Sequence, residues 1–170
     1  SRPMSIPPAT ITFSAVKSEA DWQAAYAIRT AVFVEEQDCP VDEEFDAFDG
    51  LDADCEHILG RAGDEPAATA RWRVVDKPEG RFAKLERFAI LAEFRGGGAG
   101  RRLVGDVLDR ARAAGHRRFL VHAQAHLQRF YESFGFAVVG EGFREAGIPH
   151  VRMTLVESPV GSVDAPTGSS

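Results

Sequence analysis

The chain has only two cysteines in 170 residues, Cys39 and Cys55, with no CxxC spacing. That excludes a disulfide framework and the standard zinc spacings, and such usage predicts a reducing, cytoplasmic setting. There is no excess of positive charge either: 20 Lys and Arg stand against 26 Asp and Glu, a net charge of −6. A nucleic-acid partner is therefore not expected, because phosphate backbones are held by clustered basic residues. No apolar run approaches the roughly 18 residues of a membrane-spanning helix, and no signal-peptide core stands out. What is present is an ordinary globular balance, 44% hydrophobic and 27% charged, in a length that suits one domain.

Glycine, by contrast, is concentrated. Arg95-Gly96-Gly97-Gly98-Ala99-Gly100-Arg101-Arg102 lies between a strand expected over 85–91 and an amphipathic helix expected from near Gly100. A strand that enters a glycine turn and then a helix start gathers backbone N–H groups and the positive end of a helix dipole at one spot. That is an anion site, with phosphate as the usual occupant. A Walker A loop is excluded, because Gly100 is followed by Arg101 and Arg102 rather than by Lys and Ser or Thr. A dinucleotide fingerprint counted from Gly96 fails at Arg101, where glycine or alanine is required. A flexible linker is not expected, since the segment lacks serine and sits between periodic elements. The pattern that remains is Arg-x-x-Gly-x-Gly.

Alternation predicts strands over 11–17, 55–61, 67–75, 85–91, 117–123, 136–139 and 151–156, with turns at Gly63-Asp64 and Lys77-Pro78-Glu79-Gly80. Ser18, with Asp21 three residues later, reads as a capping pair opening a helix. Trp22, Ala25, Tyr26, Val32 and Phe33 share its apolar stripe with Arg29, which is expected to snorkel or to pair with a carboxylate. Leu103, Val104, Val107, Leu108 and Ala111 form the stripe of the helix after the glycine loop, which is expected to stop at Gly115. Strand, helix and strand there predict a parallel crossover. Leu127, Phe130, Tyr131 and Phe134 make a short helix ended by Gly135. Ten acidic residues from Glu35 to Asp54 read as a solvated face, or as a rim whose field attracts a cationic substrate. Asp52, Asp54, Cys55 and His57 fit no ligand spacing, so no metal is expected. Residues 1–9 are expected to be a flexible N-terminus and 157–170 a disordered tail, around a domain over 10–156.

The order of elements, the Arg95 to Gly100 pattern and Phe130-Tyr131-Glu132-Ser133-Phe134-Gly135-Phe136 together resemble the GNAT superfamily of N-acetyltransferases over nearly all of 10–156. Three further blocks are similar to its bacterial ElaA-like branch: Val32-Phe33-Val34-Glu35-Glu36-Gln37 with Pro40, Ala123-Gln124-Ala125-His126-Leu127-Gln128, and Gly147-Ile148-Pro149-His150. The resemblance implies an α/β (α+β) fold: a mixed, mostly antiparallel central sheet of roughly six to seven strands flanked by about four helices, with a splayed parallel strand pair holding acetyl-CoA.

It also implies roles. Phe88, Ala89 and Ile90 would pair their backbone with the pantetheine arm, as an added strand does. The N–H groups of Gly96, Gly97, Gly98, Ala99, Gly100 and Arg101 would hold the pyrophosphate, with Arg95 and either Arg101 or Arg102 near phosphate. Gln124 stands where family members often carry a CoA-contacting asparagine. Tyr131 takes the general-acid position, giving a proton to the departing thiolate; on spacing alone it reads as a member of the apolar stripe. The implied reaction is direct acetyl transfer from thioester to a primary amine, a small amine rather than a protein, without a covalent enzyme intermediate. An ammonium of pKa about 10 must first lose a proton, so a base is needed. Glu86, on one strand face with Phe88 and Ile90 by alternation, is the first candidate, its other reading being a salt bridge to Arg71 or Arg73. His122 and His126 compete with it, and His57 and His150 are weaker candidates. The expected partners are acetyl-CoA and an amine acceptor, with no nucleic acid and no membrane, and a homodimer is left open. The alternative is a non-catalytic acyl-CoA-binding or interaction protein on the same fold.

Overall fold

In the computed structural model, which describes residues 10–158, the chain divides into two compact units. Of the described residues, the first holds 10–73 with Leu85–Ala111, and the second holds Val74–Lys84 with 112–158.

In the first unit β1 (Ile11–Ala15) leads to Ser18, whose hydroxyl accepts the Asp21 N–H at 3.1 Å and opens α1 (Glu19–Arg29), as expected. Such a cap is worth about 1 kcal/mol. The chain then continues as a π-helical segment, Thr30–Glu36, in place of a clean helix end. A single turn, α2 (Val41–Glu44), follows. β2 (Glu56–Ala62) and β3 (Glu65–Lys77) form the expected hairpin, with Gly63 at φ 62. β4 (Gly80–Ile90) starts directly out of the next turn, earlier than alternation suggested, and a 3-10 turn (Ala92–Phe94) separates it from α3 (Ala99–Ala113). The hydrogen-bonding order here is β1-β2-β3-β4.

Two apolar clusters hold this unit. Ile11, Ala62, Ala67 and Ala99 pack with Phe13, Ile90 and Phe94, while Ile28, Val32, Leu59 and Ala89 pack with Phe33 and Leu91. Ala89 and Ile90 are neighbours on β4 and so face opposite sides. The start of α3 and the end of α1 therefore cover opposite faces of this unit's strands.

In the second unit β5 (Arg118–Gln124) runs parallel to β4, with Ala83 opposite Phe119 and Lys84 opposite Leu120, which is the predicted crossover. Gly115, at φ 101, turns the chain after α3. α4 (Gln128–Glu132) precedes Gly135, at φ 102, and β6 (Ala137–Val138), β7 (Phe143–Glu145) and β8 (Ile148–Val156) complete the chain. The order is β4-β5-β8-β6, with β7 also on β8. The mixed, mostly antiparallel sheet is thus present, with eight strands among the described residues, the extra one being β7. β7 carries no alternation signal. It pairs because Ala146 and Gly147, at φ 51 and 75, make a hairpin turn whose twist suits two antiparallel strands.

Glu157, expected to begin the tail, is held in place: its N–H donates to the Arg117 carbonyl at 2.8 Å and its carboxylate pairs with Arg112 at 2.7 Å. The expectations for residues 1–9 and 159–170 lie outside the described residues. No helix of the described residues is long and apolar enough to cross a membrane.

Candidate functional site

Gly96, Gly97 and Gly98 stand at φ 92, 60 and 81, three successive residues in a region that side chains with a Cβ rarely adopt. The Ala99 N–H returns to the Gly96 carbonyl at 3.1 Å and the Arg102 N–H to the Gly98 carbonyl at 3.0 Å, so the turn winds straight into α3. Buried Ala99 anchors the loop, while residues 95–98 remain exposed. A Cβ added at Gly96 would meet nothing within 4 Å, which leaves open space over the loop. A helix of 15 residues places about half a positive charge behind it. Glycine backbone, open space and a helix start fit a diphosphate.

Arg95 departs from its expected place at a phosphate. Its Nη2 donates to both carboxylate oxygens of Glu36, at 2.8 and 2.9 Å, and its Nε donates to the Ile90 carbonyl at 2.8 Å. Arg102 Nη1 folds back to the Gly97 carbonyl at 2.8 Å and braces the loop. Arg101 is exposed in the first turn of α3.

β4 is irregular at Arg87, whose φ of 59 lies in the left-handed region. For a non-glycine residue this costs about 1–2 kcal/mol. The irregularity interrupts the alternation that put Glu86 on one face with Ile90. Register places Arg71 opposite His57 and Thr69 opposite Leu59, so Arg71 lies on the Leu59 face. Glu86 binds Arg71, and Ala89 packs with Leu59, whereas Ile90 packs in the other cluster. Glu86 and Ala89 share a side despite their odd spacing, and the shared face with Ile90 is corrected.

Glu86, 8% exposed, forms the salt bridges named as its other reading. Its Oε2 accepts from Arg71 Nε at 2.7 Å and from Arg73 Nε at 2.9 Å, and Arg71 Nη2 also contacts it. To act as a base it would give up charge pairing with two guanidinium groups.

The acidic run is neither wholly a solvated face nor a free rim. Arg29, 1% exposed, donates from Nε to Glu44 at 2.8 Å and from Nη1 to Asp49 at 2.5 Å, with the Phe45 ring 4.6 Å from its guanidinium carbon. Arg71 Nη1 donates to Asp46 at 2.8 Å and to Asp49 at 2.9 Å. Arg87 adds a contact to Glu44 at 3.4 Å. Burial pushes the Asp46 carboxyl up, but hydrogen bonds from Arg71 and the Phe48 N–H outweigh it and hold the pKa at about 2. Glu44 goes the other way, raised by burial against the pull of Arg29 and Arg87. Cys55 donates to the Phe48 carbonyl at 2.9 Å, and burial pushes its thiol up to about 11, which makes it a poor nucleophile. Among the described residues no group of three His, Cys, Asp or Glu could hold a metal.

The second unit carries the remaining candidates. Tyr131, 5% exposed, is packed edge-on against Phe130 and Phe136, with centroids 5.2 and 5.9 Å away, and burial raises its hydroxyl pKa well above the ordinary value. Gln124 is half-buried and stands opposite His150 in the β5–β8 register. His122 Nδ1 lies 3.2 Å from Glu145 Oε1, and its ring meets the Phe143 ring edge-on at 5.1 Å. His150 Nδ1 donates to the Ile148 carbonyl at 2.7 Å, and its ring stacks on Phe143 at 5.8 Å. His126 is exposed on the turn before α4. Sequence reasoning missed Glu145, because the strand that carries it was not foreseen. Of the expected site residues, the first unit holds Glu86, Phe88, Ala89, Ile90 and the loop from Arg95 to Arg101, and the second holds Gln124 and Tyr131.

A family model described as the acetyltransferase (GNAT) domain matches residues 54–157. A Bacillus subtilis (strain 168) protein provisionally named an acetyltransferase is 45% identical over 140 residues, 82% of this chain and 92% of its own. Protein ElaA of Escherichia coli (strain K12) is 38% identical over 133 residues, 76% of this chain and 84% of its own. The crystal structure of E. coli ElaA aligns with a TM-score of 0.74 and 33% identity, over 86% of this chain and 99% of that one. An acyl-CoA N-acyltransferase from Pseudomonas aeruginosa aligns with a TM-score of 0.75 and 29% identity, over 86% of this chain and 100% of that one.

Proposed function

The chain belongs to the GNAT acetyltransferase family, and from that membership we propose that it is an acetyl-CoA-dependent N-acetyltransferase whose acceptor is a primary amine, a small amine rather than a protein. The observation that carries the cofactor part is the run of three left-handed glycines opening onto the start of a 15-residue helix. A GNAT family acetyltransferase from Elizabethkingia anophelis, solved with acetyl-CoA bound, has the same fold at a TM-score of 0.60 and 15% identity, which supports the choice of ligand.

Acetyl-CoA, when bound, supplies an acyl group activated as a thioester. In this reading the N–H groups of Gly97, Gly98, Gly100 and Arg101 hold the diphosphate, and the backbone of Phe88, Ala89 and Ile90 aligns the pantetheine arm. Tyr131 gives a proton to the departing sulfur. The hydroxyl is protonated at neutral pH, and because burial raises its pKa and weakens it as an acid, its part is a hydrogen bond that strengthens, and then passes the proton, as charge builds on sulfur.

The test is calorimetry with acetyl-CoA on the wild type and on Gly100→Glu. Gly98 is unsuited to it, because at φ 81 any side chain is strained. Gly100 lies within α3 and outside the left-handed set. A carboxylate in a first helical turn favours the helix by about 0.3–1 kcal/mol while it repels an anion. Binding by the wild type, at least tenfold weaker in the variant with Tm equal or higher, is the expected result. Equal affinity would remove the glycine loop from the site.

The engagement of Glu86 by Arg71 and Arg73 favours a second reading, a non-catalytic acyl-CoA-binding protein on the same fold. Tight acetyl-CoA binding with no CoA released across a panel of primary amines would select it.

A further inference from the structure

With Glu86 tied to two arginines, the proton of the acceptor ammonium needs another destination. We propose that His122 is the general base and that Glu145 is its positioning residue, an assignment that rests on the N-acetyltransferase reading. Directly paired strand residues share a face, as do residues two apart. The β5–β8 register pairs His122 with Arg152 and Gln124 with His150, and the β7–β8 register pairs Phe143 with His150 and Glu145 with Ile148. His122, Gln124, Phe143, Glu145 and His150 therefore lie on one face of the second unit.

The Glu145 carboxylate faces two imidazoles there. The hydrogen bond with His122 lowers its pKa against the opposing effect of burial, and His122, His150 and Lys84 add favourable charge interactions. An ionised carboxylate only accepts, so at 3.2 Å His122 Nδ1 must carry the hydrogen. The neutral ring then has its lone pair on Nε2, which is the arrangement of an oriented base. The edge contact with Phe143 at 5.1 Å fixes the ring plane. His150 is committed differently. Its Nδ1–H is spent on the Ile148 carbonyl at 2.7 Å, and its Nε2 lies 3.9 Å from Glu145 Oε2. His150 is nearly buried, whereas the side chain of His122 is 22% exposed.

In the step, His122 Nε2 takes one proton from the ammonium and becomes an imidazolium whose other N–H is shared with Glu145. The neutral nitrogen bonds to the acyl carbon as the carbon–sulfur bond breaks. Tyr131 passes a proton to the sulfur and regains one from the new amide nitrogen, and the imidazolium returns its proton to water.

The discriminating experiment compares n-butylamine, which is protonated at neutral pH, with hydroxylamine, which is largely neutral there and needs no base. CoA release above the enzyme-free rate, which hydroxylamine alone produces from a thioester, is followed over a range of acetyl-CoA concentrations for the wild type, His122→Gln and Glu145→Gln, with Tm recorded for each. His122→Gln should lower kcat with n-butylamine by about 10²–10⁴-fold and with hydroxylamine by less than about tenfold, leaving the KM for acetyl-CoA unchanged. Glu145→Gln should lower kcat with n-butylamine by about tenfold and with hydroxylamine by less than about threefold, because an amide no longer fixes which ring nitrogen of His122 carries the hydrogen. Equal losses with both amines in either variant would overturn the assignment. A wild type that binds acetyl-CoA in calorimetry but releases CoA with neither amine would also overturn it, and would leave the cofactor site standing. Absence of acetyl-CoA binding would instead overturn the underlying reading.

Discussion

Asp49 and Asp52 stand three positions apart in the same acidic run, and nothing in their immediate sequence separates them. In the fold Asp49 Oδ1 accepts from Arg29 at 2.5 Å and from Arg71 at 2.9 Å, while Asp52 is exposed. Both guanidinium groups are buried, so removal of Asp49 strips charge compensation from two of them at once. Asp49→Ala is expected to lower the urea-unfolding free energy by about 3–5 kcal/mol. Asp52→Ala should change it by less than about 0.5 kcal/mol. Similar values for the two would show that the network contributes little. That Arg29 would seek a carboxylate was legible from its place on an apolar stripe. Which carboxylates it finds was not, because Glu44 and Asp49 lie 15 and 20 residues away through irregular chain. That Tyr131 is buried was legible from its spacing in the apolar stripe.

Elements with a strong local signal were readable: the Ser18 cap, the Gly63-Asp64 hairpin, the stripe of α3 and the glycine loop before it. Elements set by tertiary hydrogen bonding were not. The π-helical segment after Arg29 and the left-handed Arg87 in β4 have no residue type that marks them, and both depend on what the backbone packs against. β7 was hidden for a related reason. Its turn places Ala146 at φ 51, where Asn or Gly is the usual signal of a hairpin. The same mismatch makes a prediction. Ala146→Asn relieves left-handed strain at an exposed turn position and should raise stability by up to about 1 kcal/mol, seen as a higher Tm. Gly147→Ala, at φ 75, should lower Tm. A lower Tm for Ala146→Asn would mean that the turn is held by something other than its own backbone preference.

Over the whole chain, a net charge of −6 suggests a strong field for cations, yet Glu44, Asp46 and Asp49 are occupied by arginines. Their use is internal, and it ties stability to pH. His57 Nε2 lies 3.1 Å from the Phe48 carbonyl, which can only accept, so that nitrogen carries the hydrogen. Its Nδ1 is buried with no hydrogen-bond partner among the described residues, and burial, followed by the charge of Arg29, pushes its pKa below 6.5. A folded-state pKa below the unfolded one means that the unfolded chain binds the proton first, so stability falls as pH drops through 6.5. His116, lowered by burial and then by Arg81, adds to the same limb. The aspartates come next. Asp46 is held at about 2 against an ordinary 3.8, and Asp49 is lowered in the same direction, so their contribution is present above 3.8 and is lost as pH falls toward 2. Glu44, raised by burial, opposes this trend, because the folded chain holds its proton at a pH where the unfolded chain has released it. A plot of Tm against pH should therefore be flat above about pH 7, decline through a first step below 6.5 and fall more steeply below 3.8. His57→Gln keeps an N–H for Phe48 but has no proton to gain. It should shrink the first step, leave the His116 share of it and retain the second. A first step of the same size in the variant would place the titrating group elsewhere.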